Sequence, residues 1–169
     1  REIMRTLITA SATVLVLAGC SSAEQTSASR GSGADNRAET TSTATSTYWT
    51  KEEAGKKYLA MVQPSNAALA ELKSANTAGN LKGIQAACVK IADLDGKLVQ
   101  DLDTGEWDPT LRPQVDDVMA SVTSQRKFFV TCSKVSSLKE WSALTVPEDP
   151  KPGSASALRT QLGLGVADK

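Results

Sequence analysis

The residues able to do chemistry in this 169-residue chain are few and unevenly placed: cysteines at 20, 88 and 132, tryptophans at 49, 107 and 141, and a carboxylate cluster. That cluster is Asp101, Asp103, Glu106, Asp108, Asp116 and Asp117, offset locally by Lys97 and Arg112. There is no histidine, which removes the Ser-His-Asp triad, the Cys-His dyad and the commonest zinc sites by inventory. Asp101-Leu102-Asp103-Thr104-Gly105 has part of the spacing of a calcium loop. Its glycine comes one position early, however, and Arg112 stands where a bidentate glutamate would be needed. Asp101 and Asp116 could be paired as glycosidase carboxylates, but a narrow helical bundle offers them no sugar cleft. A solvated helix-turn-helix tip accounts for the same residues. No metal site, catalytic pair or cofactor motif is assigned, and the expected class is non-enzymatic.

Cys20 has a different context. It ends Leu17-Ala18-Gly19-Cys20, directly after the 11-residue apolar run Leu7–Leu17, which fits the hydrophobic region of a signal peptide and falls well short of the ~20 residues of a membrane span. Arg5 supplies the positive flank, and Met4 is the first methionine. The tetrapeptide resembles a bacterial lipobox. The resemblance implies a diacylglycerol on the Cys20 thiol, cleavage before Cys20, and residence on the outer face of the cell membrane. Two acyl chains suffice for stable anchoring where one would be marginal. Loss of residues 1–19 leaves a net charge of about −1, without the basic footprint that a phosphate backbone requires, so nucleic acid is not an expected partner.

Residues 20–47 form the next compositional unit. Ser21 to Thr47 contains 13 Ser or Thr among 27 residues, too little apolar surface to offset ordering entropy, and reads as a flexible tether. Its typical reach is roughly 30 Å. The run Thr40–Thr47 is a candidate for glycosylation, with a solvated spacer as the plainer reading.

The remaining stretch, 48–169, is long enough for one core, and its periodicity is helical. Thr50-Lys51-Glu52-Glu53 reads as a capping box. Tyr58, Met61, Val62, Leu69 and Leu72 then recur at three- and four-residue steps, predicting a helix over about 50–76 with Pro64 inside it as a kink. Gly79 stops that helix and Asn80 caps the next, over about 81–102, whose apolar face is Leu81, Ile84, Cys88, Ile91, Leu98 and Leu102. Asp108-Pro109 is expected to open a third helix of about 109–136, or longer toward Trp141 and Leu144, with Leu111, Val115, Val118, Val122, Phe129 and Cys132 on one face. Pro147, Pro150 and Pro152 impose an extended segment before a short helix over about 154–162. The expected fold is all-α: an antiparallel three-helix bundle plus a short C-terminal helix.

With Cys20 lipidated and the domain outside the cytoplasm, Cys88 and Cys132 are left to form a disulfide. Setting them opposite one another across antiparallel helices places Ile84 against Ser136, Ile91 against Phe129, Leu98 against Val122 and Leu102 against Val118. The two core faces then fall into register. Closing a loop of about 45 residues stabilises by ~4 kcal/mol in the chain-entropy model.

The tryptophans can be placed on this frame. Trp49 is expected to staple the first helix, and Trp141 to close the far end with Leu138 and Leu144. Trp107, in the turn, is the candidate partner contact, with capping of the bundle core as the stronger structural alternative. The domain resembles uncharacterised actinobacterial lipoproteins in its Trp107-to-Pro109 turn before a long helix and in its terminal Leu158-Arg159-Thr160-Gln161-Leu162-Gly163-Leu164, a resemblance that carries no activity. Anchor plus tether points to an interaction module contacting an envelope protein or cell-wall polymer. The alternative is a binding protein for a lipid or small apolar ligand, using a void beside Met61, Val62 and Leu94 opened by the Pro64 kink. Alanines at 67, 68, 70, 86 and 87 argue for close helix packing against it.

Overall fold

Thr50 begins the first helix in the way its sequence dictates. Its hydroxyl accepts from the Glu53 amide at 3.3 Å, and the Glu53 carboxylate accepts from the Thr50 amide at 2.9 Å. The computed structural model describes residues 47–165; Cys20, the leader and nearly all of the tether lie outside that range. Helix α1, Lys51–Thr77, runs through Pro64 without a break. It ends on Gly79, whose φ of 63° is open to a residue without a side chain. The amides of Gly79 and Asn80 reach back to the carbonyls of Asn76 and Ala75. Asn80 then caps α2, Leu81–Thr104, by accepting from the Gly83 amide at 3.0 Å.

The third helix starts later than expected. Asp108 and Pro109 are not its cap and first residue: the Asp108 carboxylate accepts from the amide and hydroxyl of Thr110 at 2.8 and 2.6 Å, closing a turn of its own. Helix α3 is Arg112–Cys132, with Pro113 in its first turn. It also stops earlier. Ser136 lies past its end and outside the helical register that set it against Ile84, and there the Gln85 side chain donates to the Val135 carbonyl at 2.6 Å. Trp141 belongs to a separate short helix, α4, Leu138–Ala143, opened by the Ser137 hydroxyl on the Glu140 amide. Helix α5, Ser154–Gln161, follows the proline-rich segment.

Among the described residues the architecture is all-helical. Helix α2 packs against both α1 and α3, and α5 packs on α3. The core consists of two buried clusters. The upper one joins Ala54, Tyr58, Val62, Leu98, Leu102, Trp107, Val115, Val118, Leu158 and Leu162. The lower one joins Ala68, Leu72, Ile84, Ala87, Cys88, Ile91, Ala92, Phe129 and Cys132. Cys88 and Cys132 form a disulfide there, with Cα atoms 5.9 Å apart. The expected pairs Ile91–Phe129 and Leu102–Val118 fall within one cluster each. Of the alanines, Ala68 and Ala87 are the buried ones and sit in the lower cluster, whereas 67, 70 and 86 face solvent.

Candidate functional site

The carboxylate-rich tip resolves into pairs. Arg112 holds Asp103 at 2.7 Å and Asp116 at 2.8 Å, Lys97 holds Asp101 at 2.6 Å, and Lys151 holds Asp117 at 2.9 Å. Hydrogen bonds from Thr110 keep the Asp108 carboxyl below the usual carboxylate range. These are exposed pairs of small individual worth. Arg112–Asp103 alone spans the turn between α2 and α3, and among the described residues no group of three or more acidic or sulfur ligands is positioned around one point.

Trp107 is not an exposed contact. It is 3% exposed, its indole N–H donates to the Leu102 carbonyl at 2.7 Å, and it meets Trp49 edge to face. The physical reason is local: α2 ends at Thr104, leaving the Leu102 carbonyl without a helical donor, and the indole supplies one while its ring covers the upper cluster. A side chain at Gly105 would run into both Trp107 and Trp49. Trp49 does more than staple α1. Its amide donates to the Glu106 carbonyl at 2.8 Å, and the Lys57 ammonium lies 4.8 Å above its ring, so it fastens the chain entering the domain to the α2–α3 turn. At the other end the Trp141 indole donates to Asn76 at 2.6 Å and packs beside Phe128, while Leu138, expected in that layer, is 43% exposed.

Between α1 and α2 the surface opens into a groove of about 300 Å³, lined by Trp49, Ala60, Met61, Pro64, Leu94 and Leu98, with Lys57, Lys97 and Asp101 on its rim. This is the region where the sequence placed a void, with one correction: Val62 faces inward and is buried in the upper cluster. The cause is readable. Ala68 is buried in the lower cluster between the helices, whereas Met61 and Leu94 line the groove and are only partly buried. Pro64, which lines the groove with Ala60, has no N–H to offer the Ala60 carbonyl. A larger depression, about 500 Å³ over Ala70, Lys73, Ser74, Thr77 and Ala78, is bounded by the C-terminal end of α1 alone and joins no second helix.

One layer beneath the groove lies a feature that apolar periodicity does not reveal. Asp95 is 4% exposed, accepts from the Ser65 hydroxyl at 3.2 Å, and has a second, buried oxygen without a partner. Burial pushes its carboxyl up to about 6, against the Ser65 hydrogen bond and the Arg126 charge, which lower it. A signal does exist in the chain: Cys88, Ile91, Leu98 and Leu102 leave a gap on the core face of α2 that Asp95 fills. Tyr58 is likewise pushed up to about 12 by burial.

Polar contacts also clip the C-terminal segment to α3. The Ser121 hydroxyl donates to Asp149 at 2.6 Å and lies 3.2 Å from that of Ser154. Arg159, mostly buried, donates to the carbonyls of Leu164 and Gly165. No protein-family model, curated protein or solved structure matches this chain. Among the described residues no helix is long and apolar enough to cross a membrane.

Proposed function

We propose that this protein is a non-enzymatic interaction module, lipid-anchored through Cys20 to the outer face of the cell membrane, and that the α1–α2 groove is where it docks a protein of the cell envelope. The observation that carries this reading is the groove's composition. Met61, Pro64, Leu94 and Leu98 offer an apolar floor the size of one or two side chains, and Lys57 stands at the rim with the Lys97–Asp101 pair. A segment presenting an apolar side chain and a neighbouring carboxylate would match this floor and rim. The groove is also lined by Trp49, close in sequence to the first described residue. Trp49 takes the contact role that the sequence pattern suggested for Trp107.

The second reading, a lipid or other small apolar ligand, is favoured by the same apolar floor, whose volume of about 300 Å³ matches the lower end of ligand pockets. In-cell crosslinking of the full chain, with native mass spectrometry of the purified protein, separates the two. A reproducible protein adduct lost on Ala60→Glu supports docking. A co-purifying lipid with no protein adduct sinks the docking reading in favour of the ligand.

A further inference from the structure

Ser65 and Asp95 occupy positions where apolar residues would have joined the two hydrophobic clusters into one. The upper cluster ends at Val62 and Leu98, the lower one begins at Ala68, Ile91 and Ala92, and the pair lies between them. The groups facing Asp95 are the Ser65 hydroxyl from α1 and the Arg126 guanidinium from α3. Arg126 is already engaged, since its Nε donates to the Ala92 carbonyl at 3.0 Å and it packs against Gly96, where a Cβ would stand 3.1 Å from it. No hydrogen bond from Arg126 reaches Asp95, and one oxygen of Asp95 is without a hydrogen-bond donor. A carboxylate so placed is expensive when ionised and tolerable when neutral. Pro64 and Leu94, the chain neighbours of this pair, both line the groove.

We propose that the Ser65–Asp95 pair is a proton-operated latch: with Asp95 neutral, α1 and α2 close on each other at this layer, and with Asp95 ionised the layer admits water, opens more often and widens the adjoining groove. The chemical step is proton exchange between the Asp95 carboxyl and solvent water, with no other bond made or broken. Ionisation at a buried site is relieved by hydration, and the route for water runs from the groove that Pro64 and Leu94 line. The raised Asp95 carboxyl puts the switch between mildly acidic and neutral conditions. The latch stands on the geometry of this layer and goes beyond the docking reading, which can fail without it.

The test is carbon-13 NMR of the side-chain carboxyls of the full chain against pH, with amide hydrogen exchange of residues 61–69 and 91–98 at pH 5 and pH 7.5, corrected for intrinsic rates. The Asp95 carboxyl should titrate near 6, and opening of these amides should be at least about tenfold more frequent at the higher pH, because opening releases a carboxylate that burial holds well above its ordinary range. Asp95→Asn should remove that difference. Ser65→Ala, which deletes the bond favouring the carboxylate, should move the midpoint upward. An Asp95 midpoint near 4, a pH-independent opening, an Asn variant that keeps the wild-type response, or an unmoved midpoint in Ser65→Ala overturns the latch.

Discussion

Trp49 meets Trp107 edge to face with ring centroids 5.1 Å apart, and this contact joins the start of the folded domain to the turn between its second and third helices. Trp107 is the buried member, with its indole N–H committed to Leu102. Trp107→Ala should therefore cost ~3 to 5 kcal/mol of stability, the range for deleting a large buried aromatic. Trp49→Ala, which keeps the Leu102 bond and removes a half-buried ring, should cost about 1 kcal/mol. Denaturant midpoints of the two variants check the order.

That contrast marks what was legible in the sequence. The starts of α1 and α2 were, because Thr50 with Glu53 and Asn80 carry their own capping chemistry. The disulfide was, because Cys88 and Cys132 lie on core faces that only one antiparallel register brings together. For Trp107 the stronger of the two expectations, capping of the bundle core, is what the structure shows, and the Leu102 carbonyl left open where α2 ends is its physical reason. The start of α3 was misplaced because Asp108 caps a single turn as readily as a helix. Asp95 was legible in principle as the polar residue in an apolar repeat, yet its consequence needed Ser65 and Arg126, which are remote from it in sequence and meet it only through tertiary structure.

The Cys88–Cys132 bond spans 44 residues and lies in the lower cluster, where it links α2 to the last turn of α3. Reduction should release two alkylatable thiols, seen by intact mass. It should also lower the melting temperature by more than about ten degrees, since ~4 kcal/mol of chain entropy is returned to the unfolded state. Native protein already carrying two reactive thiols would contradict the bond.

Stability should change with pH in a direction set by Asp95. Its folded-state carboxyl titrates at about 6 against 3.8 for the ordinary group, so the folded state binds the proton more tightly. Stability then falls as pH rises from about 4 to about 6 and is flat above. The loss is up to ~3 kcal/mol. Glu53, Asp108 and Glu140 have the opposite sign, being held low by hydrogen bonds from Thr50, Thr110 and Ser136. Their contributions are lost as pH falls below the usual carboxylate range. Urea melts from about pH 3 to 8 should show a maximum between the two regimes, and Asp95→Asn should lose the slope on the neutral side.

Anchoring at Cys20 predicts that Cys20→Ala leaves an uncleaved precursor that takes up no labelled palmitate. Phase partitioning of whole cells into detergent reads it. Lipid still incorporated by the variant would remove the anchor from the account.

Docking through the α1–α2 groove is tested most directly by placing a photo-crosslinking residue at Ala60, which lines the groove and is exposed, and at Thr123 on the solvent face of α3 as a control, in the full chain in its own cells. One protein should be captured reproducibly from position 60, not from position 123, and lost when Lys57 and Lys97 are both changed to Glu. The same capture from both positions, or capture unaffected by the lysine changes, would contradict it.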